Sequence, residues 1–370
     1  MTRFLKKLIN HKLAQLIFSL VVVLSGYALA LFGTDALTDI SAPSALAYAS
    51  EGSAVIAKPF LRLAGTLDRS EYDGDQSVHI VAVGDIMLDR GVKYIVDKKG
   101  SGDEYFPFQH VASIIKDADI AFGNLEGPIS DAGANVGSMY SFRMPTGSVQ
   151  VLENVGFDVL SFANNHVGDW GREAFVDTLS RFSSSRMRLI GAGLTRSEAE
   201  QVVVKEINGT RVGFLAFSDV GPHWIRATDT SPGILIASPE DIDRIVRRAS
   251  PEADILLVSF HFGDEYQTIS NSRQRLLAHA AVDAGAHVVI GHHPHVGQEV
   301  EEYRGAIIAY SLGNFVFDQR FSDDTSKGLI LALEIKDNRI VSFQKKVITF
   351  NAYFQPLPTW DISTTTTSNN

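Results

Sequence analysis

The sequence predicts an α/β fold: central β-sheets flanked by helices, preceded by an N-terminal membrane segment. Three observations carry that expectation. Short β-rich runs alternate with amphipathic helical patterns between Val78 and Phe350. No segment recurs at a fixed period. Many of the strand-like runs end in Asp, Glu, Asn or His, and in α/β sheets the carboxyl ends of strands are where ligands gather.

Taken in order, residues 1–12 carry Arg3, Lys6, Lys7 and Lys12, and an apolar run from Leu13 to Phe32 follows. At 1.5 Å per residue that run is about 30 Å long, enough to cross a bilayer. Basic residues ahead of it keep the N-terminus in the cytoplasm. Ala28-Leu29-Ala30 fits a signal-peptidase site, so the segment is either a retained anchor or a cleaved signal peptide. The run continues past that site to Phe32, which favours the anchor. Both readings put the remainder outside the cytoplasm, as a single-pass membrane protein or as an exported one. Residues 33–76 are rich in Ala, Ser, Thr, Gly and Asp without periodicity and read as a linker. The folded domain is expected over residues 77–350, with a C-terminal tail over 351–370.

Within that domain, Val78–Val83 reads as a strand running into Gly84-Asp85, and 119–122 as a second running into Asn124 and Glu126. Residues 157–162 form a third, ending at Asn164-Asn165-His166, and 255–260 a further one ending at His261. Helical patterns cover 108–116, 147–155, 172–182, 241–248 and 273–283. Asn208-Gly209 marks a hairpin between 202–207 and 212–217, and Asp337-Asn338 another between 329–335 and 340–350. Val288-Val289-Ile290 leads into Gly291-His292-His293-Pro294-His295, and 307–310 into Ser311-Leu312-Gly313-Asn314.

The histidine cluster gives the first hint of chemistry. In an extended backbone His293 and His295 point the same way. Neutral rings left without partners in an apolar site cost roughly 2–7 kcal/mol each. A metal ion is the expected partner, weighed against a purely structural cluster. The chain has no cysteine among 370 residues, so thiolate ligands are excluded. Imidazole, carboxylate and amide ligands suit Mn, Fe, Zn or Mg. A net charge of −10 argues against nucleic acid as a partner. Asp, Glu, Asn and several His drawn from five stretches form the ligand set of a two-metal hydrolytic centre.

Six segments extend this reading: Gly84-Asp85-Ile86-Met87, Gly123-Asn124-Leu125-Glu126, Asn164-Asn165-His166, His261 to Tyr266, Gly291 to His295, and Ser311 to Phe315. Together they resemble the poly-γ-glutamate capsule-synthesis CapA family, within the calcineurin-like metallophosphoesterase superfamily, over about residues 78–320. The resemblance implies a layered metallophosphoesterase-like fold holding one or two divalent ions (Mn, Fe or Zn). It makes Asp85 and His295 first-metal ligands, Glu126 the bridging carboxylate, and Asn165, His261 and His293 second-metal ligands. It gives His166 the assistance of a leaving group. It departs at Met87, where the superfamily has a histidine. The activity implied is that of a metal-dependent hydrolase acting on an anionic polymer or phosphoester. The alternative is a non-catalytic accessory subunit that binds polymer beside membrane polyglutamate synthase subunits. Arg143 either grips a substrate carboxylate or phosphate or makes a surface ion pair. Glu265 either lines the crevice or caps its loop. Asn314 either bonds a ligand histidine or satisfies its own turn.

Overall fold

The computed structural model describes residues 76–360. The expected membrane segment, residues 33–75 of the linker and the tail beyond residue 360 lie outside the described residues. Among those residues no helix is long and apolar enough to cross a membrane.

The strands in chain order are β1 (Val78–Ile86), β2 (Ile120–Leu125), β3 (Val159–Ser161), β4 (Arg188–Ile190), β5 (Ala192–Gly193), β6 (Val203–Ile207), β7 (Thr210–Ser218) and β8 (Gly233–Ile234). They continue as β9 (Ile255–His261), β10 (Val288–His292), β11 (Val300–Tyr303), β12 (Ala306–Ala309), β13 (Asn314–Val316), β14 (Lys327–Lys336), β15 (Arg339–Phe350) and β16 (Pro356–Pro358). The helices are α1 (Arg90–Lys99), α2 (Ala112–Asp117), α3 (Ser148–Val155), α4 (Gly171–Phe182), α5 (Arg196–Ala199), α6 (Pro239–Ala249) and α7 (Ser272–Asp283).

These strands build two large mixed sheets. The first runs β16-β15-β14-β1-β2-β3-β4, with β13 also on β1; the second runs β11-β12-β10-β9-β7-β6. In each, the inner strands are parallel: β1 to β4 in the first, and β7, β9, β10 and β12 in the second. Antiparallel hairpins add β6 to β7 and β15 to β14, turning at Asn208-Gly209 with φ of 51° and 79° and at Asp337-Asn338 with φ of 52° and 58°.

Alternation along the second sheet sorts its two faces. Val212, Phe214, Leu257, Val288, Ile290 and Ile307 join the core that also contains Phe122 and Leu331 of the first sheet. Leu215, Phe217, Leu256, Val258, Val289 and Ile308 face Ile242, Ile245 and Leu277 of α6 and α7. Phe122 of β2 stacks on Phe214 of β7 at 6.1 Å, marking the contact between the sheets. Strands buried on both faces read as continuous apolar runs, and β2, β9 and β10 are buried throughout. Ser238 caps α6 by accepting the Asp241 N–H, and Asn271 and Gln274 form a capping box on α7.

Between α5 and α6 a buried carboxylate ties the helix layer together. Glu200 accepts hydrogen bonds from Arg244 at 3.0 Å and Arg196 at 2.8 Å, with Arg248 at 3.0 Å. The Arg244 hydrogen bond acts first, and Arg196 and Arg248 add to it. Against the opposing effect of burial they lower the Glu200 carboxyl from 4.5 to about 2. This depressed value contributes stability that is fully present above pH 4.5 and is lost as pH falls toward 2. Glu200→Gln is expected to cost about 1.5–3 kcal/mol in urea unfolding at pH 7. The gap from wild type should narrow as the pH drops below about 4; an equal gap at pH 7 and pH 3 would show that the charge is not the cause.

Candidate metal centre

The parallel strands of the two sheets deliver their carboxyl ends to one place. Asp85 at the end of β1 sits in register with Asn124 of β2 and Asn314 of β13. The Glu126 N–H bonds the Ile86 carbonyl at 2.9 Å, which extends the pairing one residue beyond β2. His261 of β9 is in register with His292 of β10. The close approach needs glycine: a Cβ on Gly84 would collide with the Gly313 carbonyl, and one on Gly291 with the Tyr310 carbonyl. After β3, Asn164 turns the chain by donating to the Leu125 carbonyl at 2.8 Å and accepting the His166 N–H at 3.1 Å.

The paired histidines arrive differently from the sequence expectation. β10 ends at His292, and His293 and His295 are not extended; their φ values are 97° and 58°. Left-handed backbone costs a non-glycine residue about 1–3 kcal/mol and clusters at functional sites. Pro294 between them accepts the Tyr266 N–H at its carbonyl, 2.8 Å away, which fixes the turn; Tyr266 itself has φ 63°. Both rings still reach the crevice, His293 with its centroid 4.9 Å from that of His261.

At the centre lies Glu126 Oε1, wholly buried and, among the described residues, without a hydrogen-bond partner. Three imidazole nitrogens ring it: His295 Nε2 at 3.7 Å, His166 Nε2 at 3.8 Å and His261 Nε2 at 4.0 Å. The other oxygen, Oε2, accepts from Asn124 at 3.2 Å, and the same amide donates to Asp85 Oδ1 at 2.9 Å. His295 Nδ1 is 3.3 Å from Asp85 Oδ2 and 3.0 Å from Asn314 Oδ1. Asn165 Oδ1 meets His261 Nε2 at 2.7 Å. Two triads place their donor atoms within 4.8 Å of one another: Asp85, Glu126 and His261; and Glu265, His293 and His295. Asp85, Glu126, Asn165, His166, His261, His293 and His295 thus converge. The grouping differs from the one the resemblance implies, because the 264–266 loop brings Glu265 to the paired histidines. Asn314 stands behind His295, and Arg143 lies outside, its guanidinium 3.5 Å from the Trp170 ring centroid.

Electrostatics separate the groups. Burial raises the Glu126 carboxyl well above its ordinary value, and the Asp85 charge adds to the effect. Burial alone would raise Asp85 too, but His292 and His295 outweigh it and hold Asp85 well below the usual range. His292 Nδ1 lies 3.2 Å from Asp85 Oδ1 but off the line of a hydrogen bond, so it acts by proximity. Burial pushes His261 well down; burial and then His295 take His293 down to about 3. Both rings are therefore neutral, the form that ligates a metal.

These residues fit a divalent cation. An orphaned carboxylate oxygen, an unbonded His293 Nδ1 and neutral imidazoles leave lone pairs that no donor among the described residues satisfies. Oxygen and imidazole donors without thiolate match Mn, Fe or Zn. Met87 supplies no such donor: it is fully buried, and its sulfur accepts the Asp89 N–H at 3.1 Å.

Sequence reasoning missed two supporting residues. Asp169 Oδ2 meets His166 Nδ1 at 2.8 Å and accepts the Phe142 N–H at 2.9 Å, while the Phe142 ring lies 4.0 Å from that of His166. The three-residue spacing from His166 was the available signal. Asn124 was the other, two residues before Glu126 and therefore on the same side of an extended chain.

Residues 79–319 match the family described as "Bacterial capsule synthesis protein PGA_cap". The "PGA biosynthesis protein CapA" of Bacillus subtilis (strain 168) is 38% identical over 251 residues, 67% of this chain and 65% of that protein. The "Capsule biosynthesis protein CapA" of Bacillus anthracis is 34% identical over 276 residues, 71% of this chain and 65% of that protein. The alignments thus span somewhat under two thirds of each relative. Among solved structures, a putative 5'-nucleotidase from Staphylococcus aureus overlays 79% of this chain and 56% of its own at 14% identity. Its TM-score of 0.45 is too slight an overlap to bear on function.

Proposed function

The chain belongs to the bacterial capsule synthesis protein family, and from that premise we propose that it serves capsule or poly-γ-glutamate synthesis through a metal-dependent hydrolytic centre. The bond it acts on is a phosphoester or a related anionic bond, and it acts outside the cytoplasm. The observation that supports this reading most is the buried, unbonded Glu126 Oε1 with three imidazole Nε2 atoms at 3.7–4.0 Å. In this reading Asp85, Glu126, Asn165, His261, His293, His295 and Glu265 hold one or two ions of Mn, Fe or Zn. When bound, such ions supply Lewis acidity at an anionic group and lower the pKa of water.

The remaining work belongs to the chain itself. Asp169 fixes the His166 proton at Nδ1, which leaves Nε2 to receive a proton and to pass it to a leaving oxygen. Phe142 covers one face of that ring and keeps water from it. Asn314 orients His295, and Asn124 holds Asp85 and Glu126 side by side. The apolar segment Leu13–Phe32 tethers the domain to the outer membrane face beside polyglutamate synthase subunits, or directs its export. Met87, with its sulfur turned to the backbone, favours a second reading: a non-catalytic accessory subunit that binds polymer at a reduced metal site.

The full chain, purified and supplied with Mn²⁺, is expected to hydrolyse an aryl phosphate, and chelation should return turnover to background. A metal-loaded chain without turnover would select the accessory reading.

A further inference from the structure

Beyond the metal centre, Arg143 stands out as a cation without a protein partner. Its guanidinium lies on the Trp170 indole at 3.5 Å, and among the described residues it makes no hydrogen bond or ion pair. Stacking on an aromatic face holds the planar fork rigid while leaving its N–H groups free, a geometry suited to a carboxylate or phosphate. The guanidinium faces a cleft of about 390 Å³, lined also by Asp89, Lys93, Asp131 and Thr146. That volume is in the range of small-ligand sites.

The cleft and the metal centre share a wall. The Asp169 carboxylate accepts the Phe142 N–H at 2.9 Å, and both residues face His166. The next residue on each side, Arg143 and Trp170, faces the cleft. Asp89 accepts the Arg143 N–H at 2.8 Å and pins that step of the chain.

We propose that this cleft is a subsite for one carboxylate of an amide-linked acidic chain, read by Arg143 while a neighbouring part of the chain reaches the metal centre. This deepens the reading under Proposed function and rests on it for the identity of the polymer. Charge selects carboxylate over phosphate. Asp89, Glu104 and Asp131 also line the cleft, and they repel a doubly charged phosphate more than a single carboxylate. Asp131, whose side chain is 80% exposed and lies 3.8 Å from the Arg181 guanidinium, stands at the open side of the cleft.

The test is equilibrium binding of a short γ-linked glutamate oligomer to the full chain, with chelator present so that the metal centre contributes nothing. Arg143→Gln, which keeps a planar end on the indole, is expected to weaken binding at least 10-fold, and Arg143→Lys similarly because a point charge cannot fork. The fully esterified oligomer should not bind, and tripolyphosphate should compete poorly. Equal affinity of wild type and Arg143→Gln, with unchanged thermal midpoints, would overturn the subsite. So would equal binding of the esterified oligomer or stronger binding of tripolyphosphate. Oligomer binding that depends on Arg143 in a chain without aryl phosphate turnover keeps the subsite and removes the hydrolase. Turnover without oligomer binding does the reverse.

Discussion

His166→Ala is expected to lower metal-dependent turnover of an aryl phosphate by about 10²–10⁴-fold, the usual worth of a positioned proton-transfer group. Its bound metal should be unchanged, since neither donor triad includes His166. The geometry sets both halves of this result. Nδ1 is fixed by Asp169 at 2.8 Å, so Nε2 is the only ring nitrogen that faces the centre, 3.8 Å from Glu126 Oε1. Asp169→Asn should produce a smaller loss, because it disturbs the tautomer and orientation of His166 without removing the ring. Turnover in His166→Ala equal to wild type would remove His166 from the chemistry. A parallel loss of metal would make it a ligand instead.

The second large effect concerns stability and changes sign with metal. Glu126 is wholly buried beside Asp85, and one of its oxygens has no donor. In the metal-free chain Glu126→Gln removes a buried acid crowded by another, so its thermal midpoint should equal or exceed that of wild type. With metal the order should reverse. An ion present at 100–1,000 times its dissociation constant stabilises the wild type by about 2.7–4.1 kcal/mol. The variant, lacking the central carboxylate, should gain little. A variant less stable than wild type by the same amount with and without metal would mean that Glu126 supports the fold and not an ion.

Much of this centre could be read in the sequence for a physical reason. Strands buried on both faces show as unbroken apolar runs, so a polar residue at the end of one is conspicuous; Asp85, His261 and the 291–295 segment were visible in that way. The turns at Asn208-Gly209 and Asp337-Asn338 announced themselves through residues that accept positive φ. The division into two sheets was hidden, because an apolar run does not say which partner covers each face. β13 and β16, of three residues each, carry no periodicity, and α1 begins at Arg90 with φ 50° and without a side-chain cap. The left-handed turn at His293 and His295 is imposed by tertiary contacts, among them the Tyr266 bond to Pro294. For the same reason Glu265, on a loop, could not be placed with those histidines in advance.

The most direct measurement is the divalent metal content of the purified full chain after dialysis, determined by elemental analysis beside Glu126→Gln. At least one ion of Mn, Fe or Zn per chain in the wild type, and its loss in the variant, is the expected result. A wild type without metal, or a variant that keeps the same amount, would contradict the metal centre.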